Sequence, residues 1–334
     1  MVYSISVIDM WKLCLNIIII ILLLITLLCV GIAFFLFRFA CKRVKDKQTN
    51  AKKKLAEAAP SPHAPIIQAG LAYMNTQPYE TVEIPTEDGL MLRGRFYPAL
   101  TEAKRTILCV HGFYSYGLHD FGGVGDFYLP NACNMLIMDH RAHGSSEGKY
   151  RTFGVKESKD VLTWAQWASQ KAPGLPIYLD GISMGCSSVL MAASLPLPKE
   201  VVGIIADCGY TSPKEIFTHV LKLWFHLPAF PILPIAGIFC KIIAGFSIYE
   251  DTRKHIPHCT LPILFLHGAD DHFVPTVMSQ QNYQVCTSPY KSIKITEGAA
   301  HGESYLMDKE GCQTHIKEFW RLCERLQNEN QYIV

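Results

Sequence analysis

Although the chain has twelve cysteines, no two stand at C-x-x-C spacing, which removes the usual zinc-ribbon and thiol-redox arrangements. The thiols are scattered: Cys14 and Cys29 lie in an apolar segment, and Cys109 in a strand-like run. Unpaired thiols of this kind fit a reducing compartment better than secretion. Charge is also sparse, at 18% of residues, with a formal net value of +2. There are no internal repeats, so a solenoid or propeller is excluded. Nothing in the pattern indicates a metal or an organic cofactor.

One hydrophobic run stands apart. Leu13 to Phe37 is almost wholly apolar, interrupted only by Asn16 and Thr26. About twenty such residues span the hydrocarbon core of a bilayer. The run exceeds the roughly 7–15 residues of a signal-peptide h-region, and no clear small-residue cleavage site follows. It is expected to be a transmembrane helix over 13–37, behind a short tail of residues 1–12. Arg38, Lys42, Arg43, Lys45, Lys47 and Lys52 to Lys54 follow, with Asp46 the only acid among them. Positive charge beside a span favours the cytoplasmic side. The reading is a single-pass protein of the cell membrane, the domain that follows the span facing the cytoplasm. The basic run reads as a solvated tether that also meets anionic lipid heads. Nucleic acid is a poor partner for it, because no aromatics are interleaved. Residues 38–77, with Pro60 and Pro62, are expected to be juxtamembrane segment and linker.

From about residue 78 to 327 the pattern is α/β. A strand, a turn at Asp88-Gly89 and a second strand precede alternating strands and helices. Runs such as Met135-Leu136-Ile137-Met138 are apolar without alternation, as expected when helices cover both faces of a mostly parallel sheet. Residues 328–334 read as a tail.

Gly181-Ile182-Ser183-Met184-Gly185 follows the strand-like Pro176 to Asp180 and leads into the small-residue stretch Cys186 to Ala193. A serine on a sharp strand-to-helix turn needs small neighbours such as Gly181 and Gly185, because the helix packs close to the sheet. The same turn lifts its hydroxyl clear of the sheet. Downstream, Leu261 to His267 reads as a strand leading to Asp270 and Asp271, and Ser292 to Thr296 as a strand leading to His301. Nucleophile, acid and base therefore come in the order Ser, Asp, His, each just past a strand end. That order is found in α/β-hydrolases and differs from other serine hydrolases.

On these residues the chain resembles the α/β-hydrolase superfamily, and is similar to bacterial membrane-associated serine-aminopeptidase-like and monoacylglycerol-lipase-like members. His111-Gly112-Phe113 and the loop Asp139 to Gly148 extend the likeness, with Ala142 where the family has glycine. The resemblance implies a nucleophile Ser183, a base His301 and an oxyanion hole from the N–H groups of Phe113 and Met184. The family's His-Gly-x-x-Asp-x-x-Val-Pro pattern falls on His267, Gly268, Asp271, Val274 and Pro275, which prefers Asp271 as the acid. Asp207, at an earlier strand end, and Asp270 are the alternatives. His111 and His140 would shape the pocket without carrying a proton. The apolar insertion Ile216 to Tyr249 would form a cap, about 212–255, over the site; the plainer reading is helices packed on the body. Pro228, Pro231, Pro234, His226 and Lys241 argue against a second span.

Three functions compete at this stage. The first is cleavage of carboxylic esters through an acyl-enzyme, with a small acyl ester as substrate and the bilayer as partner. The second is a peptidase or amidase with the same triad and a short peptide substrate. The third is a membrane-anchored binding protein without catalysis, since a fold alone establishes no activity.

Overall fold

Short apolar runs assemble into an eight-stranded sheet in the order β1-β2-β4-β3-β5-β6-β7-β8. The strands are β1 (Glu80–Pro85), β2 (Met91–Tyr97), β3 (Arg105–Val110), β4 (Cys133–Met138), β5 (Ile177–Ile182), β6 (Val201–Asp207), β7 (Ile263–Gly268) and β8 (Lys291–Thr296). β2 pairs antiparallel with β1 and β4, and every later pairing is parallel. β3, β4, β6 and β7 are buried along their whole length, which is why their sequences do not alternate. The computed structural model describes residues 7–43 and 62–331. Lys45, Lys47, Lys52 to Lys54, the linker stretch 55–61 and the tail residues 1–6 and 332–334 lie outside them.

The helices in chain order are α1 (Val7–Cys41), α2 (Ala64–Thr76), α3 (Gly117–Tyr128), α4 (Glu157–Lys171), α5 (Met184–Ala192), α6 (Pro213–Phe225), α7 (Ile232–Phe239), α8 (Thr252–His255), α9 (Val277–Val285), α10 (Ser304–Met307) and α11 (Lys309–Gln331). Two apolar clusters fill the two sides of the sheet. One includes Leu108, Leu136, Trp164 and Val189; the other includes Ile107, Phe121, Phe127 and Trp320.

Some boundaries differ from the sequence reading. Helix begins at Val7 and persists to Cys41, so α1 is longer than 13–37 at both ends. It is the one helix, among the described residues, long and apolar enough to cross a membrane. Its end is no free tether. Lys42 forms an antiparallel bridge with Tyr150, and the Arg43 guanidinium donates to Ser146 O at 2.6 Å and Gly144 O at 2.8 Å. The expected linker ends in α2. Gly70 there lies so close to α3 that a Cβ would sit 2.7 Å from the Gly122 backbone. Small residues on both helices permit that approach. α11 likewise carries helix to Gln331, into the expected tail.

Candidate active site

Ser183 lies between β5 and α5 with φ +56° and ψ −114°. Positive φ is unusual for a residue with a Cβ, and marks the strained elbow that points the side chain away from the sheet. The flanking glycines are sterically required. A Cβ on Gly185 would overlap the Val110 carbonyl, and one on Gly181 would lie 2.5 Å from Gly185 O. α5 thus lies directly against the ends of β3 and β5.

His301 follows β8, and its Nε2 is 2.9 Å from Ser183 Oγ. Its Nδ1 is 2.7 Å from Asp271 Oδ2, in the loop after β7. A carboxylate only accepts, so the proton belongs on Nδ1 and Nε2 is left bare to accept from the serine hydroxyl. The other oxygen, Oδ1, accepts from the N–H groups of Phe273 at 2.9 Å and Val274 at 2.8 Å. His267 adds a fourth donor, its Nε2 3.0 Å from Oδ2, while its Nδ1 meets Ser279 Oγ at 2.7 Å. Burial alone would push the Asp271 carboxyl up; hydrogen bonds from His267 and His301 outweigh it and hold the group below the usual carboxylate range. Phe273 packs edge-on against His301 at 4.9 Å, limiting the tilt of the imidazole.

The alternative acids sit differently. Asp270 is exposed, and its backbone N–H donates to Ala299 O. Asp207 is buried at the end of β6, and its Oδ1 has no hydrogen-bond partner among the described residues. Burial pushes the Asp207 carboxyl up to about 6, against the pull of His267 and His301. Cys208, Asp271 and His301 bring three metal-ligand atom types within 4.8 Å of one another, an arrangement the hydrogen-bonded pair already accounts for.

Met184 opens α5, where an N–H has no intrahelical acceptor. Opposite it runs the loop after β3: a Cβ on Gly112 would lie 3.3 Å from that of Ser183. The Gly112 N–H is engaged by Asp120 Oδ2 at 2.7 Å, which fixes the loop beside Phe113. His111 and His140 are buried in mutual bonds. His111 Nε2 accepts from the His140 N–H at 3.0 Å, and His140 Nε2 donates to His111 O at 2.9 Å. Burial pushes His140 well down, so it stays neutral and serves as a strut. Ala142 adopts φ +58°, the left-handed conformation that a glycine would hold without strain.

Two chambers meet at Ser183. One, of about 570 Å³, includes Ser115, His119, Asp120, His301 and Glu303 in its wall. The other is narrower, about 90 Å³, and almost wholly apolar, with Phe153, Val220 and Leu233 among its lining residues. α6 contributes Ile216 and Phe217 to its wall, and α7 contributes Ile232 and Ala236. Trp224 stacks on Phe273 at 5.4 Å, and Phe217 meets Phe153 edge-on at 4.4 Å.

Solved esterases share this fold. A Pyrococcus furiosus esterase, Pf2001, superposes with a TM-score of 0.62 over 75% of this chain and 92% of its own, at 24% identity. The chain has the α/β-hydrolase fold. No family model matches it. The sequence is 29% identical to the uncharacterized protein YqkD of Bacillus subtilis, over 71% of this chain and 77% of that one. It is 26% identical to monoglyceride lipase of Mus musculus, over 67% of this chain and 84% of the lipase.

The sequence reading did not find several residues that shape the site. Asp120 gave no signal, because nothing local links it to Gly112. Neither did the end of α1: Leu36, Phe37, Phe39, Ala40 and Cys41 line the apolar chamber, yet in sequence they merely continue a hydrophobic run.

Proposed function

We propose that the protein is a membrane-anchored serine hydrolase that cleaves carboxylic esters through an acyl-enzyme. The observation that carries this reading is the unbroken relay from Ser183 Oγ to His301 at 2.9 Å and on to Asp271 at 2.7 Å. In the proposed reaction Ser183 Oγ attacks the ester carbonyl carbon while His301 Nε2 takes its proton. Asp271 stabilises the resulting imidazolium. The N–H groups of Met184 and Phe113 face the developing oxyanion. Collapse expels the alcohol, which receives the proton from His301. Water then attacks the acyl-enzyme with His301 again as base, releasing the acid and restoring the serine.

Two features support an ester over a peptide amine terminus. The chamber beside the nucleophile is apolar, and the acids of the cap region are already paired. Arg253 holds Asp251 at 2.6 Å and Glu215 at 2.5 Å, while His255 meets Glu250 at 2.8 Å. The esterase and lipase among the similar proteins agree with this choice. The basic end of α1 supports a cytoplasmic catalytic domain.

A fluorophosphonate probe tests the reading: it should label the full chain and leave Ser183→Ala unlabelled. Equal labelling of both would remove the proposed nucleophile. Nitrophenyl esters should be turned over far faster than aminoacyl amides, and comparable rates would favour the peptidase. Orientation is read with an impermeant maleimide on intact cells. The catalytic-domain thiols are buried, so the assay uses Glu102→Cys, an exposed position. Labelling without lysis would reverse the orientation.

A further inference from the structure

The membrane helix is built into the apolar chamber. Along its last turns Ala33, Phe37 and Cys41 are buried at four-residue intervals, forming one stripe, whereas the apolar window of the span is only 6% buried. Ala33 belongs to a cluster with Leu221, Ile232 and Ala236 of α6 and α7. Phe37 and Cys41 belong to a cluster with Met184, the residue after Ser183. Phe34 meets Phe239 edge-on at 5.2 Å, and Phe39 meets Phe225 at 5.9 Å.

The end of α1 is tied down equally firmly. A helix C-terminus leaves its last carbonyls without intrahelical donors. Here the Tyr114 hydroxyl donates to Phe39 O at 2.7 Å, and the buried Arg151 guanidinium donates to Lys42 O. Arg151 also lies over the rings of Phe113 and Tyr114, 4.7 and 4.1 Å from their centroids. The span, the loop after β3 and the apolar chamber therefore form one packed unit.

We propose that the last two turns of α1 are a specificity-determining wall of the site, holding one linear acyl chain of a bilayer amphiphile. The inference rests on the ester-hydrolase reading and adds to it the source and shape of the substrate. Arg38, Lys42 and Arg43 mark the headgroup level at the end of the span. Ester carbonyls of membrane amphiphiles lie at that same level, just beneath their headgroups. Ser183 shares its chamber with Leu36, Phe37, Phe39, Ala40 and Cys41, so the ester reaches it without leaving the interface. The tail then follows the apolar chamber, and the polar head occupies the larger one. The cap continues the same greasy surface outward, with Phe230 79% and Ile242 76% exposed. Exposed apolar residues of this kind, on segments flanking a helix packed against a span, suit immersion in lipid.

The test uses the full chain in phospholipid nanodiscs and compares nitrophenyl dodecanoate with nitrophenyl acetate. Ala40→Trp fills the chamber and should lower the dodecanoate-to-acetate ratio of kcat/KM about tenfold or more, as a steric block in an apolar pocket does. Phe37→Ala enlarges it and should shift the preferred ester to a longer chain. Leu24→Trp, on the lipid-facing part of α1, should leave the ratio at the parent value. Leu36→Trp replaces Ala40→Trp if the latter does not fold. Unchanged ratios in variants that still take the fluorophosphonate label would overturn this inference alone. A parent chain that takes no label would overturn the hydrolase reading and this one with it.

Discussion

Asp271→Asn removes charge from the relay while keeping its shape. The Asn carbonyl can still accept from the N–H groups of Phe273 and Val274, at 2.9 and 2.8 Å. The amide nitrogen then replaces Oδ2, facing His301 Nδ1 at 2.7 Å and His267 Nε2 at 3.0 Å. Donor meets donor at both. His301 escapes by moving its proton to Nε2, and in that tautomer it cannot accept from Ser183. The lost charge acts later, when attack creates an imidazolium. Two unit charges about 4 Å apart in an effective dielectric of about 20 attract by about 4 kcal/mol. At about 1.36 kcal/mol per decade that is roughly a thousandfold in rate.

With the tautomer error added, kcat should fall about 10³–10⁴-fold, with KM moved by no more than about threefold. The assay is steady-state hydrolysis of a short nitrophenyl ester by the full chain, with Asp207→Asn as comparator. Asp207 makes no recorded hydrogen bond to His301 and its carboxyl is pushed up to about 6 by burial, so its amide should retain activity within about tenfold. An Asp271→Asn enzyme keeping a tenth of the parent rate would refute the argument. So would an Asp207→Asn enzyme that lost a thousandfold, because the acid would then come from β6.

Gly185→Ala places a methyl into the Val110 carbonyl, which must push α5 off the sheet; loss of fluorophosphonate labelling together with a lowered melting temperature is expected, and a labelled, stable variant would refute the packing. Asp180 is buried and accepts from the Tyr128 hydroxyl at 2.6 Å, and burial pushes its carboxyl up to about 7 from an ordinary 3.8. Its contribution to stability is full below pH 3.8 and is lost as pH rises through about 7, roughly 4 kcal/mol at about 1.4 per pH unit. Asp180→Asn should therefore gain on the parent in melting temperature between pH 5.5 and 8, and parallel curves would refute the assignment. Ala142→Gly relieves a left-handed residue that costs about 1–2 kcal/mol, against about 0.4–1 for the looser unfolded chain; a gain of up to about 1 kcal/mol in denaturant titration is expected, and a loss would show that the Ala142 methyl matters more than its strain.

The parts of the site that were readable in the sequence are those whose chemistry is local. Gly181, Ser183 and Gly185 announce a tight turn because the contacts that demand glycine arise within one strand-to-helix junction. The order Ser, Asp, His is equally legible, since each residue closes an apolar strand. The choice between Asp271 and Asp207 was less so: both follow strands, and what separates them is which carboxylate meets an imidazole thirty positions or more away. The end of α1 was hardest. A hydrophobic run has the same composition whether lipid or protein covers it, so the buried stripe Ala33, Phe37 and Cys41 was invisible within Leu13 to Phe37 and its continuation. Its partners, α6 and α7, are apolar on more than one face for the matching reason. One face lines the chamber beside Ser183, another grips α1, and the segments on either side of α7, carrying Phe230 and Ile242, are left exposed. Excess hydrophobicity in α6 and α7 and an uninterrupted apolar run in α1 are thus two halves of one packing problem. Neither half reveals the other until the chain is folded.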